Sequence, residues 1–305
     1  MGTGAWSSRD WESYTRSRGY TDRSTANEMY QARTISPLLE PRNITFREAR
    51  DSFEHPLSTP IILGLDVTGS MGTVLEVIAK KLNYLITELY QRQPVTDPQI
   101  MVMAFGDVEC DRHPLQVTQF ESDIRIAEQL NSVFFEQGGG GNGGESYTLP
   151  WYFAARHTRT DQFEKRGKKG FLFTIGDENY LPILRKEAIR QFIGDSSERD
   201  LTAQELLQEV SQQYEIFHLM IAQGSGMRYQ GGMEGEVVVS NWRRLLGERA
   251  VLVNECTQLP EIIVSLLERF SNKNSTQQNS SPFLEEEQIG KTFIEEQWKK
   301  NRWNL

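Results

Sequence analysis

The sequence predicts an α/β fold: a doubly wound, mostly parallel sheet covered by helices on both faces. Three observations carry that expectation. Short continuous apolar runs such as TPIILGLDV, PQIMVMAF and KGFLFTIG are bounded by turn residues, as strands buried on both faces are. The stretches between several of them place apolar residues at helical spacing. Along residues 58–270 the two patterns alternate, and that order builds a parallel sheet.

Each element follows in turn. Residues 1–57 are polar with scattered aromatics, Trp6, Trp11, Tyr14, Tyr20 and Tyr30. TANEMYQARTI has the makings of a short helix, and the two prolines of SPLLEPRN break it. This extension is expected to wrap against the main domain through its aromatics or to carry a partner contact. TPIILGLDV is the first core strand. GTVLEVIAKKLNYLITELYQRQ follows as a helix, with Leu75, Ile78, Leu82, Leu85, Ile86 and Leu89 at helical spacing. PQIMVMAFGDVECD is a second strand, Asp123 to Phe134 a helix, LPWYFAARHT another, and KGFLFTIGDE a third strand. KRGKKG at 165–170 reads as a solvated turn before it. LTAQELLQEVSQQY is helical, with Thr202 placed to cap it and Glu205 three residues on. EIFHLMIAQ and ERAVLVNE are further strands, and TQLPEIIVSLLERF closes the domain. Residues 271–282 read as a polar linker. The tail, 283–305, carries Phe283, Ile289, Phe293, Ile294 and Trp298. Those side chains suit one side of a helix that either packs back on the domain or docks in a partner's groove.

Composition narrows the classes. The 305 residues allow one large domain with additions, and 38% apolar residues can build its core. A net charge of −9 disfavours non-specific nucleic-acid binding. Two cysteines, Cys110 and Cys256, make no disulfide framework and suit a reducing compartment. No signal-peptide pattern and no apolar run of about 18 residues is visible, so a soluble, cytoplasmic protein without a membrane partner is expected.

In an open parallel sheet, ligands gather at the carboxyl ends of the strands. Three such ends are suggestive here. The first, LDVTGSMG, sets Asp66, Thr68 and Ser70 two apart on a glycine-rich turn. The second, FGDVECD, holds Asp107, Glu109 and Asp111. The third, FTIGDEN, holds Asp177 and Glu178. GGGGNGGES, residues 138–146, lies between the second and third. D-x-T-G-S-M-G resembles the metal-ion-dependent adhesion site (MIDAS) of von Willebrand factor A (VWA) domains, over residues 58–270. Phrases in the middle of the chain also resemble a group of bacterial or phage A-domain proteins.

The resemblance implies the VWA fold, a Rossmann-like arrangement, and a Mg²⁺ site, with Mn²⁺ or Ca²⁺ as alternatives. Asp66, Thr68 and Ser70 match the motif, and Asp177 matches its later strand-end aspartate. The motif's loop threonine has no clear counterpart. Glu145 or the adjacent Ser146 falls at the expected distance before Trp151, and Thr148 is the alternative. GGGGNGGE resembles alpha-kinase-type A-domains, which carry an acidic residue there. In the family, hydroxyls bind the ion directly and aspartates act mostly through water, which leaves the ion seeking a partner's carboxylate. A direct Glu145 would weaken that appetite.

Simpler readings stand beside these. Asp-x-Thr-Gly-Ser also suits a turn and helix cap. Asp107, Glu109 and Asp111 suit a solvated turn near the site. Cys110 and His113 offer two zinc ligands without a matching pair. His157 and His218 suit packing in apolar surroundings, as do Trp151, Tyr152 and Phe153. The function expected is a protein-binding or scaffold module in a multiprotein system, without enzymatic activity. The alternative is a structural or assembly protein whose metal site is satisfied internally. A Mg²⁺-dependent phosphatase ranks behind both: Thr68 stands where its second aspartate belongs, and no G-x-x-x-x-G-K-[ST] or G-x-S-x-G motif is present.

Overall fold

The computed structural model describes residues 4–20, 24, 28, 32–135, 144–224, 227 and 233–276. Its strands are β1 Arg47–Ala49, β2 Thr59–Asp66, β3 Pro98–Phe105, β4 Leu115–Val117 and β5 Thr158–Thr160. They continue with β6 Gly170–Gly176, β7 Ile183–Leu184, β8 Leu201–Thr202, β9 Tyr214–Ile221 and β10 Ala250–Val253. Its helices are α1 Ser8–Arg18, α2 Gly72–Arg92, α3 Arg125–Leu130, α4 Thr148–Arg156 and α5 Asp161–Arg166. They continue with α6 Lys186–Phe192, α7 Ala203–Val210, α8 Met233–Leu246 and α9 Leu259–Thr276.

The central sheet has six strands in the order β10-β9-β6-β2-β3-β4. All pairs are parallel except β3 with β4. The topology is consistent with a VWA or Rossmann-like fold. The short antiparallel β4 is not foreseen in the sequence, because three residues carry too little periodicity to read.

Alternation along each strand sorts the core into two faces. Ile61, Leu63 and Leu65 of β2 face α2, α3 and α9, together with Phe173 and Phe217, whose rings stack 5.2 Å apart. Ile62, Met101, Met103 and Leu172 face α4, α6, α7 and α8. Helices therefore cover both faces. Leu85, Ile86 and Leu89 of α2 are buried as their spacing predicts; the side chains of Leu75, Ile78 and Leu82 lie outside the described set, as do most of TANEMY, residues 136–143 of the glycine-rich stretch and the tail.

The N-terminal extension is tied to this domain at several points. Tyr14 is buried, with Trp6, Trp11 and Tyr20 packed against the same core. Trp6 Nε1 donates to Asn83 Oδ1 at 3.3 Å and the Tyr20 hydroxyl to Asn131 Oδ1 at 2.8 Å. Further on, β1 pairs with β5, and the Arg166 guanidinium holds Asp51 at 2.7 Å.

Candidate metal centre

The chain leaves β2 for β3 on one side, then crosses to β6 on the other, so the topological switch lies between β2 and β6. Asp66 ends β2 and Asp177 follows β6 directly, which puts both at that switch. Asp66 shares a face with Ile62 and Gly64 and is fully buried. Its Oδ1 accepts from the Thr68 amide at 2.9 Å and from Thr68 Oγ1 at 2.6 Å. That turn starts the short 3₁₀ segment Gly69–Met71, which runs into α2. Ser70 Oγ donates to Asp177 Oδ1 at 2.9 Å.

Two hydroxyl oxygens then face each other: Thr68 Oγ1 and Ser70 Oγ are 3.1 Å apart. A hydroxyl has one proton to give. Each has a buried aspartate within reach to take it, Asp66 for Thr68 and Asp177 for Ser70. With both protons so placed, lone pairs of the two oxygens face the gap between them. An octahedral Mg²⁺ with oxygens at about 2.0–2.1 Å has ligand–ligand edges of about 3 Å. The separation matches such an edge. Ser70 is half-buried and Gly69 exposed, which leaves an approach from solvent.

The surrounding charge wants a cation. Asp66 and Asp177 are both fully buried, and Glu145 is 4% exposed. Burial, then the Asp177 charge, raises the Asp66 carboxyl well above the usual carboxylate range despite the Thr68 hydrogen bonds. Burial, then Asp66, Asp107, Asp111 and Glu178, raises Glu145 further still. No lysine or arginine stands among the charges acting most strongly on either group. Gly224 leaves room for Asp177: a Cβ there would overlap its carboxylate.

The three candidate loop ligands separate by what their side chains do. Glu145 is pinned by its backbone, whose amide donates to Asn179 O at 2.8 Å and whose carbonyl accepts from Leu181 N at 3.0 Å. Its buried Oε2 has no hydrogen-bond partner. Ser146 Oγ is engaged elsewhere, accepting from the Val108 amide at 3.0 Å. Thr148 Oγ1 opens α4, buried and without a partner. Orphaned buried oxygens at Glu145 and Thr148 fit a site that takes a cation.

The neighbouring acidic turn departs from the expectation of a solvated one. Asp107 is fully buried. Its Oδ1 accepts from the Glu109 amide at 2.9 Å, and its own amide donates to Asp111 Oδ2 at 2.8 Å. Two carboxylates thus brace the turn's backbone, and of its three acidic residues Glu109 alone is exposed. His218 is buried and stacked on Trp242 at 3.5 Å. His157 sits between Thr45 O at 3.0 Å and Asp195 Oδ2 at 2.8 Å. Trp151, Tyr152 and Phe153 are buried along α4.

The sequence reading passes over Tyr147. Its hydroxyl donates to Asp66 Oδ2 at 3.2 Å, and its ring is wholly buried. Within ESYTLP it reads as ordinary packing at a helix start, and nothing local marks its partner 81 residues away.

Among the described residues, no three His, Cys, Asp or Glu side chains converge as a metal cluster. An ion here needs the hydroxyls of Thr68 and Ser70.

No protein-family model matches the sequence, and no curated protein does. Among solved structures, the chain is similar to the pilus adhesin SpaC from Lactobacillus rhamnosus GG, at 11% identity and a TM-score of 0.49. That likeness covers 75% of this chain and 31% of the adhesin. Proximal thread matrix protein 1 from the mussel byssus, with a zinc-occupied MIDAS motif, is similar at 11% identity and a TM-score of 0.45, over 73% of this chain and 49% of that one. The conserved hypothetical protein BatB from Bacteroides thetaiotaomicron is similar at 11% identity and 0.41, over 70% and 99%. The chain thus spans about a third of the adhesin and half of the mussel protein. Likeness at this level identifies neither family nor ligand.

Proposed function

We propose that the chain is a metal-dependent protein-binding or scaffold module. The observation that carries this reading is the pair of facing hydroxyl oxygens 3.1 Å apart, each within hydrogen-bond reach of a buried aspartate. Thr68 and Ser70 would hold a Mg²⁺ or Mn²⁺ ion directly. Asp66 and Asp177 would supply counter-charge from behind and polarise the hydroxyls. Glu145, with Thr148 beside it in sequence, would add an oxygen from the loop. The ion supplies an electrophilic contact point for an acidic side chain of a partner protein. No enzymatic activity belongs to this reading: Asp66 has a threonine, Thr68, where a phosphatase of the aspartate-nucleophile type has its acid.

A second reading has one observation in its favour. Glu145 is buried, acidic and unpartnered at Oε2. If it fills the shell, the metal locks the fold and captures nothing. Affinity capture from cell extract separates the two, run in Mg²⁺ and in chelator with wild type and Ser70→Ala. Binding proteins lost with either chelator or Ser70→Ala support the module. Identical capture in all arms, with chelator lowering only thermal stability, supports the structural role.

A further inference from the structure

We infer that Tyr147 is the positioning residue of this centre: its one hydroxyl ties together the three chain segments that carry the candidate ligands. The inference rests on the reading of the strand-end cluster as a metal site. Tyr147 lies in the loop segment between Glu145 and Thr148. Its hydroxyl donates to Asp66 Oδ2 at 3.2 Å, at the end of β2. The same oxygen accepts from the Glu178 amide at 3.3 Å, the peptide that follows Asp177 after β6. One proton and one lone pair therefore fix the carboxylate of the first aspartate and the backbone of the second.

The tyrosine is itself held. Its ring meets Phe105 at 4.9 Å and both His218 and Trp242 at 5.0 Å, each edge to face. Trp242 Nε1 in turn donates to Glu178 O at 3.0 Å, so Glu178 is held at its amide by Tyr147 and at its carbonyl by Trp242. Gly176, the last residue of β6, completes the seat. A Cβ at that position would collide with the Tyr147 hydroxyl. Thr68 reaches Asp66 Oδ1 while Tyr147 reaches Oδ2, so the two hydrogen bonds fix the carboxylate plane from both ends. Partners behind metal ligands set ligand orientation, and their loss typically costs about 10–100-fold in metal affinity.

Mn²⁺ titration followed by the electron-paramagnetic-resonance signal of the free ion tests this on the full chain. Wild type, Tyr147→Phe, Gly176→Ala and Tyr152→Phe are compared, with thermal unfolding of each in chelator. Tyr152 is the control: it is a buried tyrosine on α4 whose hydroxyl bonds Asp195 instead. Tyr147→Phe keeps the ring and removes only the two hydrogen bonds. The expected result is affinity weakened about 10–100-fold in Tyr147→Phe and Gly176→Ala, and unchanged in Tyr152→Phe. Wild-type affinity in Tyr147→Phe overturns the inference while leaving the metal site intact. No Mn²⁺ binding by wild type overturns the site itself. Hydrogen exchange of the Glu178 amide in wild type covers the case in which Tyr147→Phe does not fold. Slow exchange in chelator is expected, and fast exchange contradicts the bond.

Discussion

In the proposed centre Thr68 and Ser70 decide the chemistry, because each has a single proton and a carboxylate within reach to take it. Their 3.1 Å separation suits Mg²⁺ and Mn²⁺. Ca²⁺, at about 2.3–2.6 Å from its oxygens, wants wider spacing and more ligands. The expected outcome is that competition dialysis ranks Mn²⁺ and Mg²⁺ above Ca²⁺, and the reverse order would refute the geometric match. Glu145→Gln keeps the shape and removes the charge. It should weaken metal binding while raising the melting temperature in chelator, because the cluster loses one buried acid with like-charged neighbours. The sequence made Asp66, Thr68, Ser70 and Asp177 legible, since spacing and position at strand ends are local properties. It left Glu145, Ser146 and Thr148 unresolved because burial and hydrogen-bond occupancy separate them. Tyr147 was invisible because its partners lie on two other strand ends.

At the scale of elements, local chemistry was readable wherever a short signal fixed it. Thr202 caps α7 as its spacing to Glu205 predicts: its hydroxyl accepts from the Glu205 amide at 3.2 Å, and the Glu205 carboxylate returns to the Thr202 amide at 2.8 Å. Thr202→Ala should cost about 1 kcal/mol, read as a lower urea midpoint at unchanged slope. Helix α8 was not legible. Its first half, MEGEVVVS, mixes glycine with a β-branched run, and only packing of Val238 and Trp242 on the sheet favours the helix. The tether of the N-terminal extension to α5 also depends on distant residues. Burial alone would raise the Asp51 carboxyl, but hydrogen bonds from Arg166 and Ser58 outweigh it and hold the group down at about 2. A depressed acid stabilises the fold above its unfolded value of 3.8, and the contribution is lost as pH falls toward 2. Asp51→Asn should therefore lower the melting temperature at neutral pH, with the gap to wild type closing near about pH 2. A gap that persists unchanged there would contradict the ion-pair account.

Taken as a whole, the molecule uses its topology to gather the site. The strand order reverses between β2 and β6, and hydrogen bonds tie the ends of those two parallel strands to each other and to the loop that enters α4. The alternation of apolar runs made the parallel core legible, since both faces of β2, β3, β6 and β9 are buried. A ligand that binds only the folded state stabilises it by mass action, about 2.7 kcal/mol at a hundred times its dissociation constant. Mg²⁺ should accordingly raise the melting temperature of wild type and leave a variant without the hydroxyl pair unmoved. The most direct measurement is calorimetric titration of Mg²⁺ into wild type and into Thr68→Val/Ser70→Ala. The account predicts one ion per wild-type chain and none in the double variant. Equal binding by both, or none by wild type, would contradict it.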